Sequence, residues 1–432
     1  MTRTSRISTF ASWTVLGTAV GLIAGSASAL FLYLLDLATS LRTDNEVIVY
    51  ALPVAGLLIG LFYERFGQPI RAGNDLIIDT IHDDGPEIPL RMAPMVLVGT
   101  VLTHLFGGSA GREGTAVQMG ASLSDFVANR LRLSPSLRQQ LLSAGVAAGF
   151  GSVFGTPVAG AIFGLEFIVC GQIHYRALMP ALVAAVVGDM TTRAWHIVHT
   201  QYPVVAFVAP TPPMLLKWLA LAAAVALTTS VFVELVHAIK TYSTRWLKRL
   251  PFRMMVGGAV VVVLWKLSGT SDYLGLGVPT ILRAFEDPHL PAYAFALKLL
   301  FTAVTLGGGF LGGEVTPLFF VGATLGSVLG RVLGIPIELA AAIGLAAAFG
   351  SAANAPIALS VMAVELFGIG VFPHVAVVSV LAYVLKGHRG IYSRQRLYMG
   401  LPGDTMDPLT TLADVRENQR AARASEKQAA GK

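Results

Sequence analysis

Long apolar runs recur along the chain from Phe10 to Leu385 and leave few places for charge. Of the 432 residues, 54% are hydrophobic and 13% are charged, whereas soluble proteins carry about 25% charged residues. Repeated apolar runs of this kind are typical of segments that cross a bilayer. The sequence therefore predicts an all-α polytopic membrane protein that has lipid as its surroundings.

Positive charge is concentrated at the chain ends and in short loops. The net charge is +6, and basic residues cluster at Arg3 and Arg6, at 245–253 and in the tail after Arg416. This distribution is typical of basic flanks on the cytoplasmic side of a membrane, and not of a nucleic-acid surface. We therefore expect both termini to be cytoplasmic and no nucleic-acid partner. Cys170 is the only cysteine, which excludes an intrachain disulfide.

The N-terminal apolar run could be mistaken for a signal peptide, because residues 27–29 resemble a cleavage site. The run continues through residues 30–37, so we interpret it as a retained first helix. Gly17, Gly21 and Gly25 fall on one face of that helix at four-residue spacing. This spacing indicates close packing within the chain rather than a dimer face.

Two segments of the chain match at a constant offset without a gap. Six positions agree: Phe150-Gly151-Ser152, Pro157, Ala159 and Glu166 recur as Phe349-Gly350-Ser351, Pro356, Ala358 and Glu365. Upstream, residues 120–123 pair with 322–325, which sets 111–115 opposite 313–317. The chain is therefore interpreted as two related halves.

The repeat and the prolines between its copies predict the organisation of the chain. Its five parts are a cytoplasmic N-terminus (1–9), a first membrane repeat (10–200), a connector (201–212), a second membrane repeat (213–393) and a cytoplasmic polar tail (394–432). The tail is expected to be disordered or loosely helical.

Glycine-rich interruptions at 107–114 and 307–317 each run directly into an apolar helix. Duplicated halves with broken hydrophobic segments are typical of secondary transporters, whose binding site lies where the broken helices meet. Helix N-termini carry unpaired N–H groups, so several of them converging predict an anion site in the bilayer. Thr316 followed by Pro317 predicts an N-cap and a first helical turn. The alternative is that these glycines are packing residues.

Glu113 lies in the first interruption, between Gly111 and Gly114. A carboxylate at membrane depth is costly unless it has a function, and the flanking glycines leave backbone N–H groups close to it. We interpret Glu113 as a tethered substitute anion that leaves the site when it is protonated. The alternative is a buried ion pair with Arg112, which is disfavoured because adjacent helix residues do not face each other.

Three further residues are candidates around this site. Glu314 is an acid at the matching break. It is either a proton carrier, because two nearby carboxylates repel and one of them then binds a proton more readily, or a solvent-facing acid in a loop. Asn74 is either an N-cap or a donor of its amide to an anion. Tyr392 lies just past the last apolar helix and is either an inner anion ligand or an interfacial anchor.

Other chemistries find little support in the sequence. The acidic cluster at 82–84, with Asp79, reads as a loop before two prolines rather than a metal site. No phosphate loop, nucleotide fingerprint or serine-nucleophile motif is visible. His104 and Ser109 alone could serve an intramembrane hydrolase, and they lack a third partner. We therefore expect no enzyme activity, no metal and no cofactor.

These motifs together resemble the CLC family of chloride channels and anion/proton antiporters, over about residues 14–392. Residues 111–114 resemble the gating-glutamate motif, 313–317 correspond to the Gly-x-Phe-x-Pro segment, and 390–393 resemble the terminal tyrosine motif. The resemblance implies a CLC-like homodimer, each subunit having two inverted-topology repeats of broken and tilted helices. It makes Glu113 the gate and places Gly111, Gly114, Val315, Thr316 and Tyr392 in the anion site.

The departures from the family pattern are informative. Asn74 replaces the family's anion-binding serine, and Thr115 stands where a proline is usual. Phe167, beside Glu166, occupies the position of the inner proton-relay glutamate of the exchangers. Such a loss is also what a passive channel would have.

These departures resemble the fluoride-specific bacterial branch of the family. Fluoride holds its water tightly, so dehydrating it needs strong donors such as the Asn74 amide and the Thr316 hydroxyl. Glu314 would then replace the missing inner glutamate. The sequence therefore predicts an antiporter of the cell inner membrane that exports fluoride in exchange for protons through Glu113. A chloride/proton exchanger or a passive chloride channel remains the alternative.

Overall fold

The computed structural model describes residues 3–83, 86–398, 410–418 and 421. Eight helices precede residue 201: α1 (Arg3–Asp44), α2 (Leu52–Phe66), α3 (Asn74–Asp83), α4 (Met92–Leu105), α5 (Glu113–Arg130), α6 (Pro135–Phe154), α7 (Pro157–Glu166) and α8 (Leu178–Ala194). Eight follow it: α9 (Met214–Trp246), α10 (Leu250–Ser268), α11 (Val278–Glu286), α12 (Ala294–Gly308), α13 (Val315–Leu333), α14 (Ile337–Ala352), α15 (Pro356–Phe367) and α16 (Phe372–Lys386). Two short strands, β1 (Val169–Cys170) and β2 (Arg396–Leu397), pair in parallel.

Seven helical segments among the described residues are long and apolar enough to cross a membrane, and five shorter apolar helices lie among them. The long α1, α2, α9 and α10 expose many apolar side chains to the outside, as lipid contact requires. The helices around the two breaks, by contrast, are buried along most of their length. The prediction of a polytopic helical membrane protein is confirmed.

The two breaks meet each other directly. Gly111 and Gly313 form an antiparallel bridge in which the amide of each donates to the carbonyl of the other, at 2.6 and 2.8 Å. This is the pairing that the repeat register predicts. Because both segments are glycine at this point, the two backbones approach without side chains between them.

The two halves have opposite orientations. The end of α9 lies beside the end of α2, where Arg249 pairs with Glu64 at 2.7 Å. The start of α9 lies beside the end of α13, where Lys217 donates to the Gly334 carbonyl at 2.9 Å. Helices α2 and α13 therefore end on opposite faces of the molecule. The predicted inverted-topology repeat is confirmed.

The three glycines of α1 pack against α8, as predicted. A Cβ built on Gly21 or Gly25 would lie 2.8 Å from the Ala184 oxygen or 2.5 Å from the Gly188 oxygen, respectively. Gly17 approaches the Pro180 carbonyl in the same way. Only glycine allows the two helix backbones to come this close, and residues 27–29 lie inside the continuous helix α1.

Two acids join the halves by capping each other's short helices. The Glu166 carboxylate accepts hydrogen bonds from two backbone amides at the start of α15, at 3.1 and 2.7 Å. Glu365 accepts two from the start of α7, at 3.0 and 2.8 Å. The first amides of a helix have no partner within it, so a carboxylate from the other half satisfies them. Their matching positions in the repeat thus have a structural reason.

The described part of the tail contains a helix, which is one of the two forms expected for this segment. Residues 412–418 form a short helix whose Leu412 and Val415 pack on Cys170 and Leu397. The Leu412 amide donates to the carbonyl of Gln395 at 3.0 Å. This contact ties the tail to the segment that follows α16, because the apolar face of the short helix has a partner there.

Candidate functional site

Glu113 is fully buried at the first residue of α5. One carboxylate oxygen accepts a short hydrogen bond from the Thr316 hydroxyl. The other accepts from the backbone amides of Thr316 and Arg112, at 3.2 and 3.1 Å. Because Thr316 lies in the first turn of α13, the carboxylate is held by donors at the N-termini of two helices, as an anion would be.

The glycines around Glu113 make room for its carboxylate. A Cβ built on Gly111 would lie 2.9 Å from both the Glu113 carboxylate and the Gly313 carbonyl oxygen. A Cβ on Gly114 would lie 3.2 Å from the Gly313 Cα. Substitution at either position would therefore displace the segment that carries Glu113.

Arg112 lies beside the carboxylate, contrary to the sequence argument. Its Nε is 3.6 Å from a Glu113 oxygen, although this nitrogen has no hydrogen-bond partner in the described chain. The argument from helix geometry was wrong because Arg112 precedes α5 and is not itself helical. The guanidinium thus balances the charge of Glu113, while the hydrogen bonds of Thr316 fix its position.

The start of α13 differs from the prediction by two residues. The helix begins at Val315, which is buried, and Glu314 occupies the N-cap position. The prediction that Thr316 caps the helix and Pro317 begins it is therefore wrong. Thr316 lies inside the first turn, and its hydroxyl donates to the buried Glu113 carboxylate instead of accepting from an amide of its own helix.

A cavity of about 400 Å³, here called the Asn74 cavity, lies on one side of Glu113. Five candidate or neighbouring polar residues share its wall: Asn74, Thr115, Gln118, Glu314 and Tyr392. The structure therefore brings together residues that lie in four separate parts of the chain.

Asn74 is the first residue of α3 and is 9% exposed. Its side-chain oxygen is buried and has no hydrogen-bond partner within the described residues, so the N-cap interpretation is not supported. The amide nitrogen lies 3.5 Å from the position of a Cβ built on Gly114. Its amide group therefore faces the segment that carries Glu113.

Glu314 is half-buried and lines the Asn74 cavity. Tyr392 is 4% exposed and lines the same cavity. Its ring packs edge-on against Phe167, with 5.8 Å between the ring centroids. Phe167 is fully buried.

A buried polar network supports the segment that carries Tyr392. The Lys386 ammonium donates to the Asn354 side-chain oxygen at 2.8 Å and to the carbonyl of Ser351. Asn354 donates to Gln395 at 2.9 Å, and Gln395 donates to the Phe167 carbonyl at 2.6 Å. The sequence analysis did not anticipate this network, because its members are far apart in the chain.

Gln118 and Thr100 were also missed. Gln118 lies one helical turn after Gly114, so the i, i+4 rule puts it on the same face of α5 and would have found it. Thr100 shares a hydrogen bond of 2.7 Å with Thr115, and both line the Asn74 cavity. These side chains add neutral polar groups to the wall of the Asn74 cavity.

A second cavity, here called the Arg42 cavity, has a volume of about 710 Å³. It is lined by residues of both halves, among them Arg42, Arg112 and His199. Of the described residues at 112–115, Arg112 lines this cavity, Thr115 lines the Asn74 cavity, and Glu113 lines neither. The Glu113 carboxylate therefore lies between two cavities.

The residues considered for other chemistries are not arranged for them. Both ring nitrogens of His104 lie within hydrogen-bond distance of backbone carbonyls, at 2.8 and 2.9 Å. Ser109 shares its hydroxyl hydrogen bond with Thr302 instead of a histidine. No group of three metal-binding side chains occurs within the described ranges, and Asp84 of the acidic cluster lies outside them.

Comparisons with known proteins agree with this geometry. The family model described as "Voltage gated chloride channel" matches residues 55–387. A protein named "Chloride/fluoride channel protein" from Pseudomonas syringae pv. tomato is 46% identical over 396 residues, which cover 90% of this chain and 87% of that protein.

Solved structures share the fold. The crystal structure of a CLC-type fluoride/proton antiporter has a TM-score of 0.87 and 33% identity, and the match covers 92% of this chain and all of that one. A slow cyanobacterial Cl⁻/H⁺ antiporter has a TM-score of 0.77 at 19% identity, covering 88% and 96% of the two chains. The chain belongs to the voltage-gated chloride channel family, the CLC family.

Proposed function

We propose that this protein is an anion/proton antiporter that exports fluoride in exchange for protons through Glu113. The observation that carries the proposal is the position of the Glu113 carboxylate, which lies between two cavities and accepts hydrogen bonds at the N-termini of α5 and α13. A carboxylate so held stands where a transported anion would bind.

Protonation of Glu113 is the step that couples the two ions. The neutral acid no longer attracts Arg112 or the amide donors as strongly, so it leaves the site. The amides of Arg112 and Thr316 and the Thr316 hydroxyl are then free to hold the incoming anion. When Glu113 loses its proton, it returns and displaces the anion.

The proposed selectivity for fluoride rests on the donors near the gate. Fluoride is small and strongly hydrated, so it needs close, strong hydrogen-bond donors in place of its water. The Thr316 hydroxyl reaches the anion position directly, and the Asn74 amide faces the gate segment. The names of two similar proteins, a chloride/fluoride channel protein and a CLC-type fluoride/proton antiporter, support the same ion.

Glu314 is the proposed proton carrier between Glu113 and the Asn74 cavity. It lines this cavity and lies two residues before Thr316, which binds the gate. Phe167 offers no titratable group, so the proton needs another route on that side. Of the described acids that line the Asn74 cavity, Asp75 is engaged by Ser393 and Arg394, which leaves Glu314 for this role.

The proposed orientation puts the Asn74 cavity on the cytoplasmic side of the cell inner membrane, with both termini there. Arg71, Lys240 and Arg253 line that cavity, and a basic loop at 247–249 lies on the same face. Cytoplasmic loops of membrane proteins carry such an excess of Lys and Arg. We also propose a homodimer in lipid, each subunit having its own pathway.

Two alternatives within the family use the same site. A chloride/proton exchanger would need the same gate with weaker selectivity, and a passive channel would fit the loss of a titratable group at Phe167. Neither requires enzyme chemistry, and we propose no catalytic role for His104 or Ser109.

Proteoliposomes that report fluoride efflux, chloride efflux and internal pH together test the proposal. Fluoride efflux with proton movement and little chloride efflux is expected. Comparable chloride flux would favour the chloride exchanger, and flux of either ion without protons would indicate a channel.

Two variants assign the acids in the same assay. Glu113→Gln mimics the protonated gate and is expected to pass fluoride without moving protons. Glu314→Gln is expected to lose proton movement while it keeps fluoride flux, and intact coupling in this variant would overturn the role of Glu314. Glu286→Gln, at an exposed acid at the end of α11, is the control.

A further inference from the structure

Arg42 is a buried cation that has no role in the mechanism proposed for Glu113. It lies near the end of α1, is 6% exposed, and lines the Arg42 cavity. Its Nε is shielded from solvent and has no hydrogen-bond partner in the described part of the chain. A buried donor without a partner is costly, so the unpaired Nε of Arg42 on a cavity wall indicates a ligand.

The surroundings of Arg42 contain no neutralising carboxylate in contact. No acid among the described residues has an oxygen within ion-pair distance of it, and Glu46, the acid that acts on it electrostatically, accepts a hydrogen bond from Ser271 at 2.6 Å. The two acids that line the cavity are at its exposed rim: Asp36 is exposed, and Asp272 pairs with Arg283.

A second buried cation, Lys298, binds backbone carbonyls close to Arg42. The Lys298 ammonium is fully buried, and no described carboxylate lies within ion-pair distance of it. It donates to the carbonyls of Tyr273 and Gly275, at 3.1 and 2.7 Å. Gly275 has φ of +54°, and a Cβ there would lie 3.0 Å from the Arg42 guanidinium. The wall therefore leaves space for the guanidinium while its nearby carbonyl is bound by Lys298.

Arg112 provides another guanidinium on the wall of the same cavity, beside the gate. Its Nε also lacks a hydrogen-bond partner among the described residues. The cavity wall carries Arg42, which has no described acid within ion-pair distance, and Arg112, which shares its charge with Glu113. Because the acids of the cavity lie at its rim, such a wall attracts small anions.

We propose that the Arg42 cavity holds a second anion site, in which Arg42 binds a small monovalent inorganic anion before it reaches, or after it leaves, the gate. This inference rests on the proposed transport function for its role in the pathway. The site selects anions by charge and not by size. A guanidinium on the wall of a wide cavity does not require the ion to lose its water, as the donors at the gate do.

Crystals of the wild-type protein grown in bromide test the site itself, independently of transport. The expected result is an anomalous peak within hydrogen-bond distance of the Arg42 guanidinium, which disappears in Arg42→Met and remains in Lys266→Met. Lys266 is the control because it is a cation near the end of α10 that stacks on Trp265 and does not line the cavity. Absence of the wild-type peak would overturn the proposal.

Flux measurements in vesicles of opposite orientation test the role of the site. Arg42→Met is expected to raise the half-saturating fluoride concentration about tenfold when fluoride enters through the Arg42 cavity. The same variant should leave this concentration unchanged when fluoride enters through the Asn74 cavity. Arg42→Lys is expected to recover most of the effect, which a purely structural role would not give. An unchanged half-saturating concentration from the Arg42 side would overturn the role in the pathway, while proton coupling in the same vesicles reports on the proposed function separately.

Discussion

Thr316 holds the Glu113 carboxylate with two donors, its side-chain hydroxyl and its backbone amide. The two residues belong to different halves of the chain and lie at corresponding breaks. The observed position of the Glu113 carboxylate therefore depends on contact between the halves. Any change that separates α5 from α13 would release the carboxylate, even if Glu113 itself were unchanged.

Replacing Thr316 by Val removes the hydroxyl and keeps the backbone amide and the shape of the side chain. A hydrogen bond to a charged group contributes roughly 1.5–3 kcal/mol, so the affinity of the site for its carboxylate or anion should fall about ten- to hundredfold. We expect fluoride efflux from proteoliposomes to fall by at least about tenfold. Thr324→Val, on the same helix but bonded to a backbone carbonyl of its own helix, is the matched control. Flux within twofold of that control would contradict this role for the hydroxyl.

Much of this site was visible in the sequence because its features are local. An acid between glycines in an apolar run, and a repeated Gly-Ala-Ser/Thr-Leu segment, were sufficient to align the two breaks that the structure joins at Gly111 and Gly313. The direction of the Thr316 side chain was not visible. It depends on an acceptor from the other half, and a local capping rule predicted a different bond.

The same limit explains what was missed elsewhere. The repeat showed that Glu166 and Glu365 correspond, but not that each caps the other half's short helix, because that requires the spatial relation between the halves. Arg42 and Lys386 are single charges near helix ends and look like ordinary flanking cations in the sequence. Only the packing shows that both are buried.

Replacing Asn74 by Asp tests whether the amide faces the anion pathway. The new carboxylate would lie beside the gate segment, where a second negative charge repels the anion in a weakly screened site. We expect fluoride efflux to fall by at least about tenfold, and more than in Asn74→Ala, which only removes donors. Asn129→Asp, at the far end of α5, supplies the same charge change away from the cavity. Equal flux in the two Asp variants would argue against an anion path at Asn74.

The reciprocal caps make Glu166 and Glu365 contributors to stability. Replacing either by Gln leaves one acceptor oxygen for two amides, and we expect a loss of roughly 1–3 kcal/mol in the free energy of unfolding for each. The losses should add in the double variant if the two caps act independently. Denaturant unfolding in detergent measures them, with Glu286→Gln as the control. A value for Glu166→Gln equal to that of the control would show that its cap contributes no net stability.

We expect the stability of the short helix at 412–418 to depend on pH through Asp414. The Thr411 hydroxyl and amide donate to this carboxylate, which holds its pKa below the usual range, and the Asp414 amide donates back to Thr411 as in a capping box. A lowered pKa contributes stability that is present above the pKa of the unfolded tail and is lost as the pH falls through the lower folded value. Asp414→Ala should therefore speed hydrogen exchange at residues 412–418 near pH 7, relative to wild type at the same pH, and this difference should shrink in acid. Glu417→Gln, on the same helix, should match wild type throughout, and a difference between Asp414→Ala and wild type that stays constant with pH would exclude the carboxylate as its cause.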